Sequence, residues 1–257
     1  NDVALSDDSV YFTDSFHPTI YSISRYHNSS SDRRVMRYST GSYFDTKLGQ
    51  FRANGLAVHD SSEEKDTLMV ANTHTGNLYS VVVHKSEPAQ VQTRQQQPAV
   101  GQQAHGPAAP TAALGPQRTH IVGIPGLNMS IKVRPPDAVA GQHIAAVHEL
   151  MLPKVPGNVS DTLLLDGVWF VNSSFAVVAD NYNNRVWGTE VGESMTSAKL
   201  ACLIQLPVFK VPTTITAMNG KLCITNPHLD TCFPFLPCPH HAFEVIGVDM
   251  AQCKSWP

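Results

Sequence analysis

The chain has 257 residues, 42% of them hydrophobic, and a formal net charge of −3. This length is sufficient for one large domain with a substantial buried core. The weak negative charge provides no basic surface, so we expect no nucleic-acid partner. No run of about 18 apolar residues occurs, so we expect no membrane-spanning helix.

The first 25 residues predict three short strands separated by turns. Alternating apolar residues place strands at 3–5, 10–13 and 20–23, and a further strand is predicted in the letters VMRYST at 35–40. The chain starts at Asn1, without a Met and directly inside this unit. We therefore expect it to be part of a longer or processed protein.

A second copy of this pattern follows at 53–83. Asn54-Gly55 stands where Asn1-Asp2 stood, and strands are predicted at 67–71 and 77–83. The offset between Asn1 and Asn54 is 53 residues, since 54 minus 1 is 53. A spacing of this size, with several strands in each unit, is typical of a β-propeller.

The composition then changes. Residues 87–117 are dominated by Gln, Pro and Ala, which predicts a disordered surface insertion. Beyond it, THIVGI is an apolar run, and HIAAVHELML is consistent with a short helix or a strand. The 112 residues from Asn54 to Asp166 (166 minus 54) hold either a whole divergent blade or one enlarged unit. The low-complexity segment at 87–117 accounts for about half of the residues by which 112 exceeds the 53-residue spacing, which favours the enlarged unit.

Two more copies complete the pattern. In the third, Asp166 is expected just ahead of a first strand, followed by strands at 175–179 and 185–191. In the fourth, strands at 213–217 and 221–225 flank an Asn-Gly turn, and AFEVIGVDM supplies an outer strand. The prediction for 1–257 is an all-β, single but incomplete propeller of the six-bladed type, with about four blades present. Four blades alone leave two unpaired faces unless the chain closes as a four-bladed ring, which is at the small end of known propellers.

Cysteines and glycosylation sequons bear on the compartment. All five cysteines lie in the last 56 residues: Cys202, Cys223, Cys232, Cys238 and Cys253. Cys232 and Cys238 are close enough in sequence for a disulfide, although free thiols are an equal alternative, and a zinc site with His240 and His241 has no standard spacing. Four sequons favour a secretory route without settling it: Asn28, Asn128, Asn158 and Asn172.

The repeated motifs resemble those of a known superfamily. Asn-Asp-Val-Ala with YFTDS, Asn-Gly-Leu-Ala with MVANTHTGNLY, and Asp-Gly-Val with VVADNYNNRVW are similar to successive blades of the senescence marker protein, gluconolactonase and regucalcin-like proteins. The calcium-dependent phosphotriesterase-like proteins of plants and algae look most alike. The resemblance covers roughly 1–83 and 160–249.

The resemblance implies a divalent cation, Ca²⁺ or Mg²⁺, at the bottom of the central cavity. Asn1 matches an Asn that contacts substrate in some members and metal in others, Asn54 matches a ligand Asn, and Asp166 matches a ligand Asp that also acts as base or nucleophile. The family's Glu ligand from the first blade has no counterpart in these residues. Amide and carboxylate oxygens form a hard set of ligands that suits Ca²⁺ or Mg²⁺.

Two histidines are further candidates for substrate contact. His17 and His74 follow the middle strands of their blades and are expected near the cavity mouth as proton carriers, with solvated turn residues as the alternative. A repeated polar position ends each middle strand, and we interpret it first as turn capping: Asp14, Asn72, Asp180 and Asn226.

Two functions remain open from the sequence. One is a divalent-metal-dependent hydrolase of a lactone, ester or organophosphate, in which Asp166 is catalytic and the protein is a monomer acting on a small molecule. The alternative is a non-catalytic propeller, similar to NHL-type or strictosidine-synthase-like proteins, that binds a small ligand or a protein partner. Only hydrolysis requires a cation.

Overall fold

The computed structural model describes residues 1–17, 19–25, 35–40, 44, 52–85, 120–123, 130–133, 142–144, 146–150, 152, 163–228 and 243–255. The predicted insertion at 87–117 and the candidate Cys232, Cys238, His240 and His241 cluster lie outside these residues. The chain divides into two compact units, one formed by 1–85 with 141–257 and the other by 86–140. Within the described part of the chain, no helix is long and apolar enough to span a membrane.

The described residues are almost entirely β-strand. In chain order the strands are β1 (Val3–Leu5), β2 (Ser9–Asp14), β3 (Thr19–Ser24), β4 (Val35–Ser39), β5 (Ala53–Ser61), β6 (Lys65–Asn72), β7 (Asn77–His84), β8 (His120–Gly123), β9 (Ser130–Val133), β10 (Gln142–Ile144), β11 (Ala146–Leu150), β12 (Leu165–Asn172), β13 (Phe175–Asp180), β14 (Arg185–Val191), β15 (Ala198–Ile204), β16 (Ile215–Met218), β17 (Lys221–Asn226), β18 (Glu244–Val248) and β19 (Lys254–Ser255). The smaller unit contributes the β8–β9 hairpin.

The larger unit contains four sheets, which we call blades 1 to 4. Blade 1 is β1-β2-β3-β4 with β10 parallel to β4, blade 2 is β5-β6-β7-β11, blade 3 is β12-β13-β14-β15-β19, and blade 4 is β16-β17-β18. In each blade the first three strands are consecutive in the chain and pair antiparallel, which confirms the predicted repeat. The run HIAAVHELML, for which the sequence allows a short helix or a strand, contributes to strands β10 and β11, and β11 is the outer strand of blade 2. The long segment is therefore an insertion in an enlarged unit.

Consecutive blades pack face to face through apolar side chains. One buried cluster joins blades 1 and 2 around Leu68 and Tyr79, another joins blades 2 and 3 around Leu78 and Trp187, and the last joins blades 3 and 4 around Val186. The first strands β1, β5, β12 and β16 adjoin one another in that order. Sheets stacked in chain order around adjoining first strands form a β-propeller, as the sequence predicts.

The start of the first strands differs from the prediction. Asn54 and Asp166 were expected just ahead of these strands, but both lie inside them, in β5 and β12. In blades 2 and 3 the strand register shifts at this point, so that the pairs Asn54-Gly55 and Asp166-Gly167 each lie opposite a single residue of the middle strand. This is a β-bulge, which redirects a side chain out of the regular alternation of the strand.

A buried polar network locks blade 1 to blade 2. The Tyr11 hydroxyl donates to Asp66 Oδ2 at 2.6 Å, and Lys85 Nζ lies 2.8 Å from Asp66 Oδ1 and 3.0 Å from Asp8 Oδ1. Asp66 is fully buried. A buried carboxylate needs such partners because an unpaired charge in the interior is strongly unfavourable.

Replacing Tyr11 by Phe is expected to lower the free energy of unfolding by about 2 kcal/mol, because a buried acceptor loses its donor. Chemical denaturation measures the change. Tyr21→Phe is the matched control, since Tyr21 is half-buried on the other face of the same sheet, and we expect it to have little effect. Equal destabilisation by both substitutions would contradict the role given to the hydroxyl.

One disulfide is present among the described residues. It joins Cys202 in β15 to Cys253, just before β19, and so attaches the end of the described chain to the edge of blade 3. Cys223 in β17 is a free thiol. The ring suggested for Cys232 and Cys238 lies outside the described residues.

Candidate functional site

Polar residues from neighbouring blades meet where the first strands adjoin, and we call Asn1, Asn54 and Asp166 the axial cluster. The Asn1 side-chain amide donates a hydrogen bond to Asn54 Oδ1. The backbone of Gly55 lies directly against that of Asp166, so the bulges of blades 2 and 3 are in contact. Asn1 and Asn54, which are far apart in the sequence, are thus in side-chain contact, and Asp166 lies on the adjoining first strand of blade 3.

Each axial residue is held by the residue that follows the middle strand of its own blade. Asn1 Nδ2 donates to Ser15 Oγ at 2.8 Å, and Asn54 Nδ2 donates to Thr73 Oγ1 at 2.9 Å. In blade 3 the roles are reversed, because Asn181 Nδ2 donates to Asp166 Oδ2 at 3.1 Å. In blades 1 to 3 the axial side chain is therefore hydrogen-bonded to the residue after the middle strand. A hydroxyl accepts from each axial amide, and an amide donates to the axial carboxylate.

The supporting hydroxyls also connect the blades. Ser15 Oγ donates to the carbonyl of Ala53 at 2.8 Å, and Thr73 Oγ1 donates to the carbonyl of Leu165 at 2.6 Å. Each accepting residue immediately precedes the axial residue of the next blade. These bonds fix the position of Asn54 and Asp166 relative to the blade before them.

Asp166 is the one carboxylate of the axial cluster. Burial raises its pKa to about 6, against the lowering effect of the hydrogen bond from Asn181, and the nearby charge of Asp2 raises it further. Among the described residues, no Lys, Arg or His forms an ion pair with Asp166. Its negative charge at neutral pH is therefore poorly compensated, which is typical of functional carboxyls.

Asp2 is a neighbour that the sequence reasoning missed. Its Oδ2 accepts a hydrogen bond from the backbone N–H of Leu56 at 2.9 Å, and its Oδ1 accepts one from Val3 at 2.9 Å. Burial raises the pKa of Asp2 as well. Because the charge of Asp2 raises the pKa of Asp166, the two carboxyls repel when both are ionised, and a cation nearby would relieve this repulsion.

The two candidate histidines are exposed turn residues. His17 is 66% exposed and its Nδ1 lies 2.8 Å from Asp14 Oδ2. His74 is exposed, and its backbone N–H donates to Asn72 Oδ1 at 3.0 Å. No hydrogen bond in the described structure links either histidine to Asn1, Asn54 or Asp166.

The repeated polar position at the end of the middle strands caps turns in blades 1 and 2, as interpreted from the sequence, whereas in blades 3 and 4 Asp180 and Asn226 accept the backbone N–H groups of Leu164 and Lys210 from other segments. Asp14 Oδ1 accepts the backbone N–H of Phe16, and Asn72 Oδ1 accepts those of His74 and Thr75. Besides Leu164, Asp180 accepts hydrogen bonds from Nε of Arg185 and Nε1 of Trp187, both at its Oδ2. These residues serve the fold.

A cavity of about 440 Å³ lies beside the axial cluster. It is lined by Asn1, Thr13, Asp14, Ser15, Phe16 and Tyr21. Two aromatic side chains provide an apolar wall, and Asp14 connects this wall to His17. The cavity is large enough for a small organic molecule.

The axial cluster offers oxygen ligands only. Among the described residues, no group of three His, Cys, Asp or Glu side chains forms a metal site. The oxygens near the axis come instead from two carboxyls, Asp2 and Asp166, and from the amides of Asn1 and Asn54. Such a set fits Ca²⁺ or Mg²⁺ better than zinc.

Fold and axial cluster together define a β-propeller with a polar centre. No family model and no curated protein matches the chain. Among solved structures, the chain is similar to the crystal structure of a protein from Lactobacillus plantarum, at 14% sequence identity and a TM-score of 0.31, over 96% of this chain and 70% of that one. So distant a likeness supports no inference about function.

Proposed function

We propose that the axial cluster binds a divalent cation, Ca²⁺ or Mg²⁺, and that the protein is a metal-dependent hydrolase of a lactone, ester or organophosphate. The observation that carries this proposal is the Asp166 carboxyl, which is half-buried where the first strands adjoin, has a pKa raised to about 6 and has no cationic partner among the described residues. The resemblance of the repeat motifs to gluconolactonase and regucalcin-like proteins supports it.

The donor set fits the proposed cation. Asp166 supplies a carboxylate and Asn1 and Asn54 supply amide oxygens, while Asp2 adds negative charge nearby. A bound cation would polarise a carbonyl or phosphoryl oxygen of the substrate. To act as a ligand, Asn54 Oδ1 has to exchange the hydrogen bond that it accepts from Asn1 for the cation.

Other side chains near the axial cluster would then orient Asp166, bind the substrate and transfer protons. Asn181 holds one oxygen of Asp166, so that the other oxygen is oriented to accept a proton from water or to attack the substrate. The cavity beside Asn1 would hold the apolar part of the substrate against Phe16 and Tyr21. His17, whose partner Asp14 lines this cavity, would exchange a proton with the leaving group.

One observation favours the non-catalytic alternative. The Asn1 amide donates to Asn54 Oδ1, and this bond is also what a purely structural network at the axis requires. A propeller that only binds a ligand or protein would keep this bond in all states, whereas cation binding has to break it.

Titration calorimetry with Ca²⁺ and then Mg²⁺, followed by assays with a lactone, an aryl ester and an organophosphate, tests the proposal. We expect saturable binding of one cation per chain and hydrolysis that is lost on chelation. Absence of cation binding at neutral pH would rule out the metal-dependent hydrolase and leave the non-catalytic propeller.

Cation affinity is expected to increase with pH between about 5 and 7, because the carboxyl with a pKa of about 6 has to lose its proton to bind. Below pH 6 the affinity should fall by about tenfold for each pH unit, as expected for one displaced proton.

Without cation, the stability of the protein is expected to change with pH in the opposite direction to the cation affinity. The raised pKa means that this group's contribution is complete below about pH 4 and is lost as pH rises through about 6.

Thermal unfolding with and without Ca²⁺ measures both effects. The increase in Tm caused by Ca²⁺ should be large at pH 7.5 and clearly smaller at pH 5. A shift of equal size at both pH values would contradict the assignment of the cation to Asp166.

A further inference from the structure

The turn between β12 and β13 carries a motif that the axial cluster does not use. Asn172-Ser173-Ser174 is one of the four N-x-S sequons, and the other three lie outside the described residues. Asn172 ends β12 and pairs with Phe175, the first residue of β13, so Ser173 and Ser174 form the tip of the hairpin. All three sequon residues are exposed. The fold therefore leaves room for a bulky glycan at this position.

The Asn172 side chain uses its oxygen within the turn and leaves its nitrogen unbonded. Asn172 Oδ1 accepts hydrogen bonds from the backbone N–H of Ser174 at 2.9 Å and from Ser174 Oγ at 3.1 Å. In the described part of the chain, nothing accepts a hydrogen bond from Asn172 Nδ2. Nδ2 is the atom that carries an N-linked glycan. A glycan there would therefore break no hydrogen bond of the folded chain.

A contact from blade 2 fixes the hairpin without covering the Asn172 side chain. His59 Nε2 donates to the carbonyl oxygen of Ser173 at 2.7 Å, and the His59 ring lies edge-on to Phe170 with 5.0 Å between the ring centroids. Neither contact involves the side chain of Asn172. The hairpin is thus held against its neighbour while the sequon stays exposed.

The sequon lies at the far end of β12 from the axial cluster. Asp166 is near the start of β12 and Asn172 is at its end, six residues later (172 minus 166). Six residues of extended strand span roughly 20 Å. A glycan at Asn172 would therefore begin well away from the proposed cation.

The disulfide is an independent indication of the compartment in which the chain folds. Cys202 in β15 is bonded to Cys253. Disulfides form and persist in oxidising compartments such as the lumen of the endoplasmic reticulum, and they are rare in the cytosol. Exposed sequons are glycosylated in that same lumen. Two unrelated features, a covalent cross-link and an exposed sequon, thus indicate one route of biosynthesis.

We propose that Asn172 carries an N-linked glycan. The donor is an oligosaccharide attached through its anomeric carbon to a polyprenyl diphosphate. The bond between this carbon and the diphosphate oxygen breaks, a bond between the same carbon and Asn172 Nδ2 forms, Nδ2 loses one proton, and polyprenyl diphosphate is released. This glycan is independent of the proposed hydrolase activity, because Asn172 contributes nothing to the axial cluster.

Peptide mass spectrometry of the protein isolated from the cells that naturally produce it tests this assignment. Proteolysis after Phe170 and Phe175 yields the peptide 171–175, which contains Asn172 and none of the other sequons. We expect this peptide to carry a mass of hexose and N-acetylhexosamine units. An amidase that releases N-linked glycans should remove this mass and leave aspartate in place of the asparagine. An unmodified peptide, from protein in which Cys202 and Cys253 are bonded, would overturn the proposal.

Substitutions in the turn, expressed in eukaryotic cells that secrete the protein, separate glycosylation from chance attachment elsewhere. Asn172→Gln and Ser174→Ala should each abolish the glycan, because the sequon needs both the amide and the hydroxyl at the third position. Ser174→Thr keeps that hydroxyl and should be glycosylated.

Ser173→Ala is the matched control. Ser173 is exposed in the same turn, but the middle position of a sequon accepts any residue except proline, so this variant should keep the glycan. Retention of the glycan mass in Ser174→Ala, or its loss in Ser173→Ala, would contradict recognition of this sequon.

Discussion

Replacing Asp166 by Asn is expected to abolish cation binding and to lower hydrolysis at least about 100-fold, the scale seen when a group that stabilises the transition state is lost. The substitution keeps the size of the side chain and a hydrogen-bonding partner for Asn181, but it removes the charge. Since burial disfavours that charge in the free protein, the variant should be at least as stable as the wild type in the absence of cation.

Calorimetry with Ca²⁺ and steady-state kinetics measure the two losses, and chemical denaturation without cation measures stability. Asp7→Asn is the matched control, because Asp7 is an exposed carboxylate in a turn of blade 1. It should bind and hydrolyse as the wild type does. If Asp166→Asn keeps both cation binding and activity, the axial cluster is not the site.

Asn181 is a positioning residue in this scheme, because it contacts Asp166 and not the substrate. Asn181→Ala should weaken cation binding less than Asp166→Asn does. It should also raise the pKa that governs binding, since the hydrogen bond that lowers the pKa of Asp166 is lost. This change in the pH profile distinguishes positioning from a purely structural role, which would alter stability alone.

Replacing Gly55 by Ala is expected to destabilise the propeller by about 3 kcal/mol, because the axis has no room for a side chain there. A Cβ at this position would lie 1.8 Å from the carbonyl oxygen of Asp166 and 2.9 Å from Cα of Gly167. Both are backbone atoms, so relief requires the first strands of blades 2 and 3 to separate. The axial cluster would open with them.

Gly167 has the same role towards blade 4. Its N–H donates to the carbonyl of Thr213 at 2.9 Å, and a Cβ would lie 2.3 Å from that oxygen. We therefore expect Gly167→Ala to be as damaging as Gly55→Ala.

Denaturant unfolding at one protein concentration measures these changes, with Gly247→Ala as the matched control. Gly247 lies in β18, where an added Cβ meets nothing within 4 Å. Its substitution should alter the free energy of unfolding by less than about 0.5 kcal/mol. Equal stability of Gly55→Ala and Gly247→Ala would contradict the close approach of the first strands.

Strand positions could be predicted well from the sequence because their signal is local. Side chains in a strand alternate between two faces, so the runs at 10–13 and 67–71 identified middle strands within one or two residues of their observed ends. The Asn-Gly and Asp-Gly pairs likewise placed Asn54 and Asp166 at one phase of the repeat, and the structure brings them together at the axis.

The supporting residues could also have been found from the sequence. The residue after the repeated polar position is itself polar in three copies: Ser15, Thr73 and Asn181. These are the residues that hold the axial side chains. Asp2 gave no comparable signal, since the corresponding residues of blades 2 and 3 are the glycines at 55 and 167.

By itself, the sequence determined the repeat, the four blades and the phase of the axial residues, because each depends on neighbours within a few residues along the chain. Only the tertiary structure decided that Asn54 and Asp166 sit in bulges, that β11 completes blade 2 across the insertion, that Cys202 pairs with Cys253, and that Asp2 adds its charge to Asp166. These features join residues that are distant in the chain. Their formation depends on how the blades pack, which no local pattern of residues records.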